Sequence, residues 1–340
     1  MNVHPIKIAV LGAGSWGIAL ANHCADVGHH VSLWEFDAQM ARQLHETRER
    51  PSVLPGTRIR EQITITSDLG QAVYDSKITL LVVPSHVARS VIQQLTVQIF
   101  PKSSLLISCT KGIENGSHLR ISEIVKQELP DYDFENFAVL SGPSHAEEVS
   151  KNIPTAVVVA AKRDEISSYI QKVLNSRHFR IYRSHDVVGV ELGGALKNVI
   201  AIAAGICDGA GFGDNTKAAL QPRGLAEIAR LGRVFNADPL TFAGLSGMGD
   251  LIVTCMSRHS RNRFVGEQIG RGKTLQQVLD EMVMVAEGVR TCKSAVALAE
   301  KHHIDMPISR EVYNVLFKNK EPKKAMEDLM GREVKPEVWF

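Results

Sequence analysis

Twelve residues near the start of the chain constrain its fold more than any other stretch. Ile6-Lys7-Ile8-Ala9-Val10-Leu11 is an apolar run broken by one lysine, the pattern of a buried strand. Gly12-Ala13-Gly14-Ser15-Trp16-Gly17 then reads G-x-G-x-x-G, and Ile18-Ala19-Leu20-Ala21 carries a helix away. In such a unit each glycine has its own task. Gly12 allows the tight turn, Gly14 lets the backbone approach a pyrophosphate, and Gly17 lets the helix pack close to the strand. The helix's free N–H groups and dipole then face the phosphates. A glycine-rich turn alone is weak evidence, but a second strand, Val31-Ser32-Leu33-Trp34, follows here. It ends in Glu35 and Asp37, about 20 residues past the motif, where an acid meets an adenosine ribose. The stretch predicts a dinucleotide site.

Strand and helix signals alternate through the first half. Residues 38–45 read as a helix, 51–56 as a loop and 63–66 as a short strand, with Ser67-Asp68 capping the next helix. Residues 78–83 form a nearly continuous apolar run ended by Pro84, as in a central parallel strand, and Ser85-His86 starts another helix. Strands at 104–108 and 137–140 follow, and 155–160 and 179–182 extend the sheet. From Val187 onward only apolar-periodic stretches occur, at 187–207, 225–235, 274–285 and 293–302. The expectation is an α/β chain: a Rossmann-type, doubly wound parallel sheet over residues 1–185, then an all-helical substrate domain over 186–340.

The 39 basic and 37 acidic residues leave a formal charge of +2, which offers no field for nucleic acid or an anionic membrane. Cys24, Cys109, Cys207, Cys255 and Cys292 are scattered and never spaced C-x-x-C, which argues for a reducing compartment and against a zinc site. No H-E-x-x-H occurs among the 13 histidines, so no metal is expected. Met1 to Pro5 leaves no room for a signal peptide, and no apolar run approaches the ~20 residues that span a membrane. A cytoplasmic protein is expected. Two glycine-rich stretches are decoys. Gly270-Arg271-Gly272-Lys273-Thr274 lacks the first P-loop glycine, and 208–214 follows a helix, so both read as helix-to-helix turns.

Two loops leave strand ends with useful groups, Thr110-Lys111-Gly112 and Ser141-Gly142-Pro143-Ser144. Lys197 is more informative, because it interrupts a helix that is apolar on nearly every side and follows Gly193-Gly194. Such a helix is buried, and close approach of a ligand accounts for the two glycines. Burial pulls a lysine down from about 10.4, toward the range useful for proton transfer. Asp250, in Gly247-Met248-Gly249-Asp250-Leu251, is a candidate partner. The arginines of Ser257-Arg258-His259-Ser260-Arg261-Asn262-Arg263 suit a small phosphate, since guanidinium forks match its oxygens. These residues alone point to a nicotinamide dehydrogenase of unspecified substrate.

Taken in order, the motifs resemble those of the bacterial NAD(P)-dependent glycerol-3-phosphate dehydrogenases over nearly the whole chain. They are GAGSWG at 12–17, Val83-Pro84-Ser85-His86, Thr110-Lys111-Gly112 and SGPSHA at 141–146. The second half adds LGGALKNVI at 192–200, Gly211-Phe212-Gly213, Gly249-Asp250-Leu251, Ser260-Arg261-Asn262 and Val285-Ala286-Glu287-Gly288. The resemblance implies Lys197 as general acid or base, with Lys111, Gly142, Ser144, Asp250, Ser260, Arg261 and Asn262 around dihydroxyacetone phosphate or glycerol 3-phosphate. Beside the glycines, Ser15, Trp16, Phe36, Lys111, Ala146, Arg261, Val285 and Glu287 would touch NAD or NADP. It also implies supply of a phospholipid precursor, and it leaves a homodimer open. Two departures stand out. Gln221-Pro222 lies where relatives usually carry an apolar residue and threonine, and proline would start or kink a helix there. Glu35-Phe36-Asp37 replaces a basic position, so the acids favour NAD unless Arg42 or Arg48 swings in to offset them. The rival readings are another hydroxyacid-type dehydrogenase, which would need a catalytic histidine, and a dinucleotide sensor, which would have no need of Lys197.

Overall fold

The structure, a computed structural model, describes residues 4–95, 99–101 and 103–337; Met1, the expected leaderless start, lies outside them. Its strands are β1 (Lys7–Leu11), β2 (His30–Trp34), β3 (Thr64–Thr66), β4 (Ile78–Leu81), β5 (Leu105–Ser108), β6 (Phe137–Ser141), β7 (Thr155–Ala161) and β8 (Phe179–Ser184). They form one sheet in the order β3-β2-β1-β4-β5-β6-β7-β8. Every residue of β4, β5 and β6 is buried, because helices cover both faces.

From β3 across to β6 all neighbours are parallel, but β7 runs antiparallel to β6 and β8 parallel to β7. This corrects the all-parallel expectation. The link from β6 to β7 holds only a single helical turn, Ala146–Val149, so the chain doubles back. Between β7 and β8 the longer helix Asp164–Leu174 makes the crossover that parallel strands need.

The second half is built on the helix Val187–Ala210. Asp186 caps its start, its carboxylate accepting from Gly189 N at 2.8 Å, and Gly211 ends it at φ 73°. This helix corrects the expectation that no apolar run reaches membrane-spanning length. It has 24 residues, and its most apolar 18-residue window has mean hydropathy 1.6 and is 94% buried inside the fold. Glu191, Lys197 and Asn198 interrupt the run in sequence and hide its length; it is a core helix. The helix Arg261–Gly270 crosses it backbone to backbone. A Cβ on Gly205 would fall 2.0 Å from Arg263 O, and one on Gly266 2.0 Å from Ile202 O. That approach sets Arg261 and Asn262 beside Asn198.

Buried Glu191 fastens this core to a helix of the first half. Its carboxylate accepts from Ser122 N at 2.8 Å, from Ser122 Oγ and from Arg120, at the positive end of the helix Ile121–Glu128. Elsewhere helix bounds differ from expectation. Residues 225–234 belong to a helix, Asp214–Val234, that runs through Pro222 and ends before Phe235. Pro222 and Ala218 are both exposed, so water can take the carbonyl that proline leaves unbonded. Residues 274–285 shrink to the helix Leu275–Asp280, capped by Thr274 and Gln277, and the rest turns back to carry Val285 toward the sheet.

Candidate active site

A cleft of about 520 Å³ opens where β1, β2, β4 and β5 end and the helical half begins. The strand order reverses between β1 and β4, which is where doubly wound sheets bind ligands. Its floor is the glycine-rich turn. Gly12 has φ +115°, which an L side chain rarely adopts, and a Cβ there would lie 3.0 Å from Val82 O. A Cβ on Gly17 would fall 1.8 Å from Gly12 O, so this glycine lets the helix Ser15–Asp26 seat against the turn from behind the cleft. A Cβ on Gly14 would meet nothing within 4 Å among the described residues. The cradle therefore fits a pyrophosphate at Gly14, with Ser15 and Trp16 in the cleft wall.

Past the end of β2, Phe36 presents a ring 76% exposed, edge-on to Trp34 at 6.3 Å, free to carry an adenine face. The two acids expected at the ribose are both engaged. Asp37 caps the helix Ala38–Thr47, accepting from Met40 N at 2.7 Å. Glu35 pairs with Arg50, 2.7 Å from Oε2 to Nη1. Arg48 is spent inside the fold on Ile63 O at 2.7 Å, so it is not the cation that offsets them. Arg50 carries no sequence signal: it lies in a loop outside every motif.

At the other end stand the groups of a proton-transfer site. Lys197 is 5% exposed on the core helix. Its Nζ lies 2.9 Å from Asp250 Oδ1 and donates to Thr254 Oγ1 at 2.6 Å. Lys111, from the loop after β5, donates to Asp250 Oδ2 at 2.7 Å and to Gly142 O at 2.9 Å. One buried carboxylate is thus held by two ammonium groups. Burial works to raise the Asp250 carboxyl, but the two lysines outweigh it and hold the group below its ordinary range. Burial pulls Lys197 down to about 8, Lys111 adds to that, and Asp250 opposes it. Gly193 and Gly194 serve packing rather than a ligand: a Cβ would lie 2.6 Å from Ser246 O and 2.7 Å from Ser141 Oγ.

Ser260 caps the helix Arg261–Gly270, accepting from Arg263 N at 3.1 Å, and so turns Arg261 into the cleft. Asn262 donates to Asn198 Oδ1 at 2.9 Å and accepts from Gly288 N at 2.8 Å. Glu287 holds the start of the helix Ser85–Gln94, accepting from Ser85 N at 3.0 Å and from its hydroxyl. Ser144, Ala146 and Val285 also reach the wall. Of the residues expected around substrate and cofactor, Gly17 and Gly142 stand behind it. Thr254, Asn198, His145 and His259 line it unforeseen. Thr254 had a signal, since it follows Asp250 by one helical turn on the helix Asp250–Met256. The histidines lay inside quoted stretches, His145 in SGPSHA and His259 beside Ser260, but were given no role.

A glycine cradle for a dinucleotide and a buried lysine-carboxylate pair, facing one another across one cleft, define a two-domain nicotinamide-dependent dehydrogenase. Residues 7–167 match the N-terminus, and residues 186–327 the C-terminus, of the NAD-dependent glycerol-3-phosphate dehydrogenases. The chain belongs to that family, whose members are oxidoreductases using NAD or NADP. A glycerol-3-phosphate dehydrogenase [NAD(P)+] of Geobacillus thermodenitrificans is 51% identical over 98% of this chain and 96% of its own length. One of Citrifermentans bemidjiense is 48% identical, over 97% and 98%. The crystal structure of a glycerol-3-phosphate dehydrogenase from Coxiella burnetii aligns at TM-score 0.91 and 36% identity, covering 96% of this chain and 99% of that one.

Proposed function

We propose that this chain interconverts dihydroxyacetone phosphate and sn-glycerol 3-phosphate, with Lys197 as the group that gives and takes the proton. The observation that carries this reading is the burial of Lys197 between Thr254 and Asp250, which brings its ammonium down to about 8. A proton donor works best with a pKa near the working pH.

Residues 1–185 hold the dinucleotide and 186–340 the substrate, to which Lys111 also reaches from the first half. Arg261 takes the substrate phosphate as a charged fork, helped by the amide N–H that Asn262 keeps free of Asn198. When bound, the nicotinamide supplies the hydride that reduces the ketone carbon. Lys197 Nζ gives its proton to the ketone oxygen as that oxygen gains charge, and Lys111 stabilises the same charge from the other side of Asp250. Asp250 keeps both ammonium groups aimed at one point, and Thr254 fixes the Lys197 rotamer. Ser144, Gly142 and Ser260 position Lys111 and Arg261. In glycerol 3-phosphate oxidation the neutral Lys197 amine removes the hydroxyl proton.

NADH serves at least as well as NADPH, because Glu35 is an acceptor for a 2′-hydroxyl and repels a 2′-phosphate. The activity feeds phospholipid synthesis from the cytoplasm. A spectrophotometric assay of NADH and NADPH oxidation with dihydroxyacetone phosphate tests the reading. Oxidation that depends on this substrate supports it, and none with either cofactor refutes it.

A further inference from the structure

Arg50 is the one cation that reaches the adenosine end of the cleft among its described lining residues. It arrives from an anchored loop, in which Leu54 and Ile59 are buried in the core and Arg48 is tied to Ile63 O. A single nitrogen, Nη1, makes both of its contacts: 2.7 Å to Glu35 Oε2 and 2.8 Å to Ala13 O, inside the glycine-rich turn itself. Nε of the same guanidinium is buried and has no partner among the described residues. Buried donors are normally satisfied, so this fork has unused capacity where the adenosine ribose comes to rest.

We infer that Arg50 is the residue that admits a 2′-phosphate to this cleft. With NADH the guanidinium stays on Glu35, and the ribose 2′-hydroxyl donates to that carboxylate. With NADPH the fork leaves Glu35 and turns onto the 2′-phosphate, supplying two parallel N–H donors to its oxygens. Glu35 then competes with the phosphate for Arg50. The pair acts as a selector: arginine gives access to NADPH, and glutamate keeps NADH ahead. Asp37 does not enter the competition, because its carboxylate is held at the helix start by Met40 N. The inference rests on the dinucleotide reading of the cleft and not on the substrate.

Equilibrium binding of NADH and NADPH, followed by nucleotide fluorescence on the full chain without substrate, tests it independently of turnover. Arg50→Met should weaken NADPH at least ~10-fold more than NADH, the scale of a lost charge-assisted fork. Glu35→Gln should move the ratio the other way, strengthening NADPH relative to NADH by several-fold. A Met variant that weakens both cofactors equally makes Arg50 only a brace for its loop and overturns the proposal. Should Arg50→Met fail to fold, Glu35→Gln decides alone, and an unchanged NADPH/NADH ratio in it overturns the proposal as well. If dihydroxyacetone phosphate proves not to be the substrate, these titrations remain readable.

Discussion

Lys197 Nζ stands 2.9 Å from Asp250 Oδ1, with 7% and 2% of the two side chains exposed. The other oxygen of the same carboxylate holds Lys111 at 2.7 Å. Two cations on one buried anion leave a net positive site, suited to a phosphorylated substrate and to the negative charge that develops on its ketone oxygen. Removing the anion leaves the buried Lys197 charge beside the like charge of half-buried Lys111, so Asp250 is the keystone of the arrangement.

The pH dependence follows from that pair. Ketone reduction needs Lys197 protonated, so kcat/KM for dihydroxyacetone phosphate should be level below about 8 and fall as pH rises through it. Glycerol 3-phosphate oxidation needs the free amine and should rise through the same point. Asp250 is the group that raises the Lys197 pKa, so Asp250→Asn should move both inflections to lower pH. Profiles measured from about pH 6 to about pH 10 check this, and an inflection that stays in place would separate Lys197 from the titration.

Arg261→Ala removes the proposed phosphate fork. KM for dihydroxyacetone phosphate should rise at least ~10-fold, the value of a charge-assisted pair. Free dihydroxyacetone has no phosphate to lose and should be affected much less. Equal losses for both compounds would place the phosphate elsewhere.

Glu227 makes stability depend on pH far from the chemistry. It is 1% exposed and accepts from Ile308 N, Ser309 N and Ser309 Oγ at the start of the helix Pro307–Phe317. Burial pushes its carboxyl up to about 7, against the pull of those donors. A folded pKa above the unfolded one means the contribution is complete below about 4.3 and is lost as pH rises to about 7. Glu227→Gln stays neutral throughout. Urea unfolding at pH 5 and pH 8 should therefore show the variant gaining on the wild type by up to about 3 kcal/mol. A difference that does not move with pH contradicts the assignment.

Much of this was legible in the sequence, for physical reasons that differ by residue. Gly12, Gly14 and Gly17 each perform a task fixed by local backbone geometry, and a local pattern can declare it. Lys197 stood out because a charge on an otherwise apolar helix must be accounted for by burial and a partner. What escaped is what depends on long-range meeting. Arg50 reaches Glu35 only because its loop folds back to the end of β2, and the cap at Met40 N that occupies Asp37 is a choice among competing hydrogen bonds. The antiparallel join of β6 and β7 escaped too, since strand periodicity carries no direction.

The most direct test of the account is kcat of Lys197→Met. Methionine keeps the length and apolar fit of the buried stem, so the variant should fold and bind the dinucleotide, whose cradle lies in the other half of the chain. General acid–base catalysis contributes ~10²–10⁴-fold, and the lost charge on the developing alkoxide adds to it. The account predicts that kcat falls at least ~10³-fold while nucleotide affinity is nearly unchanged. A folded variant retaining more than about a tenth of wild-type kcat, a change in barrier of only ~1.4 kcal/mol, would contradict it and pass the proton to Lys111.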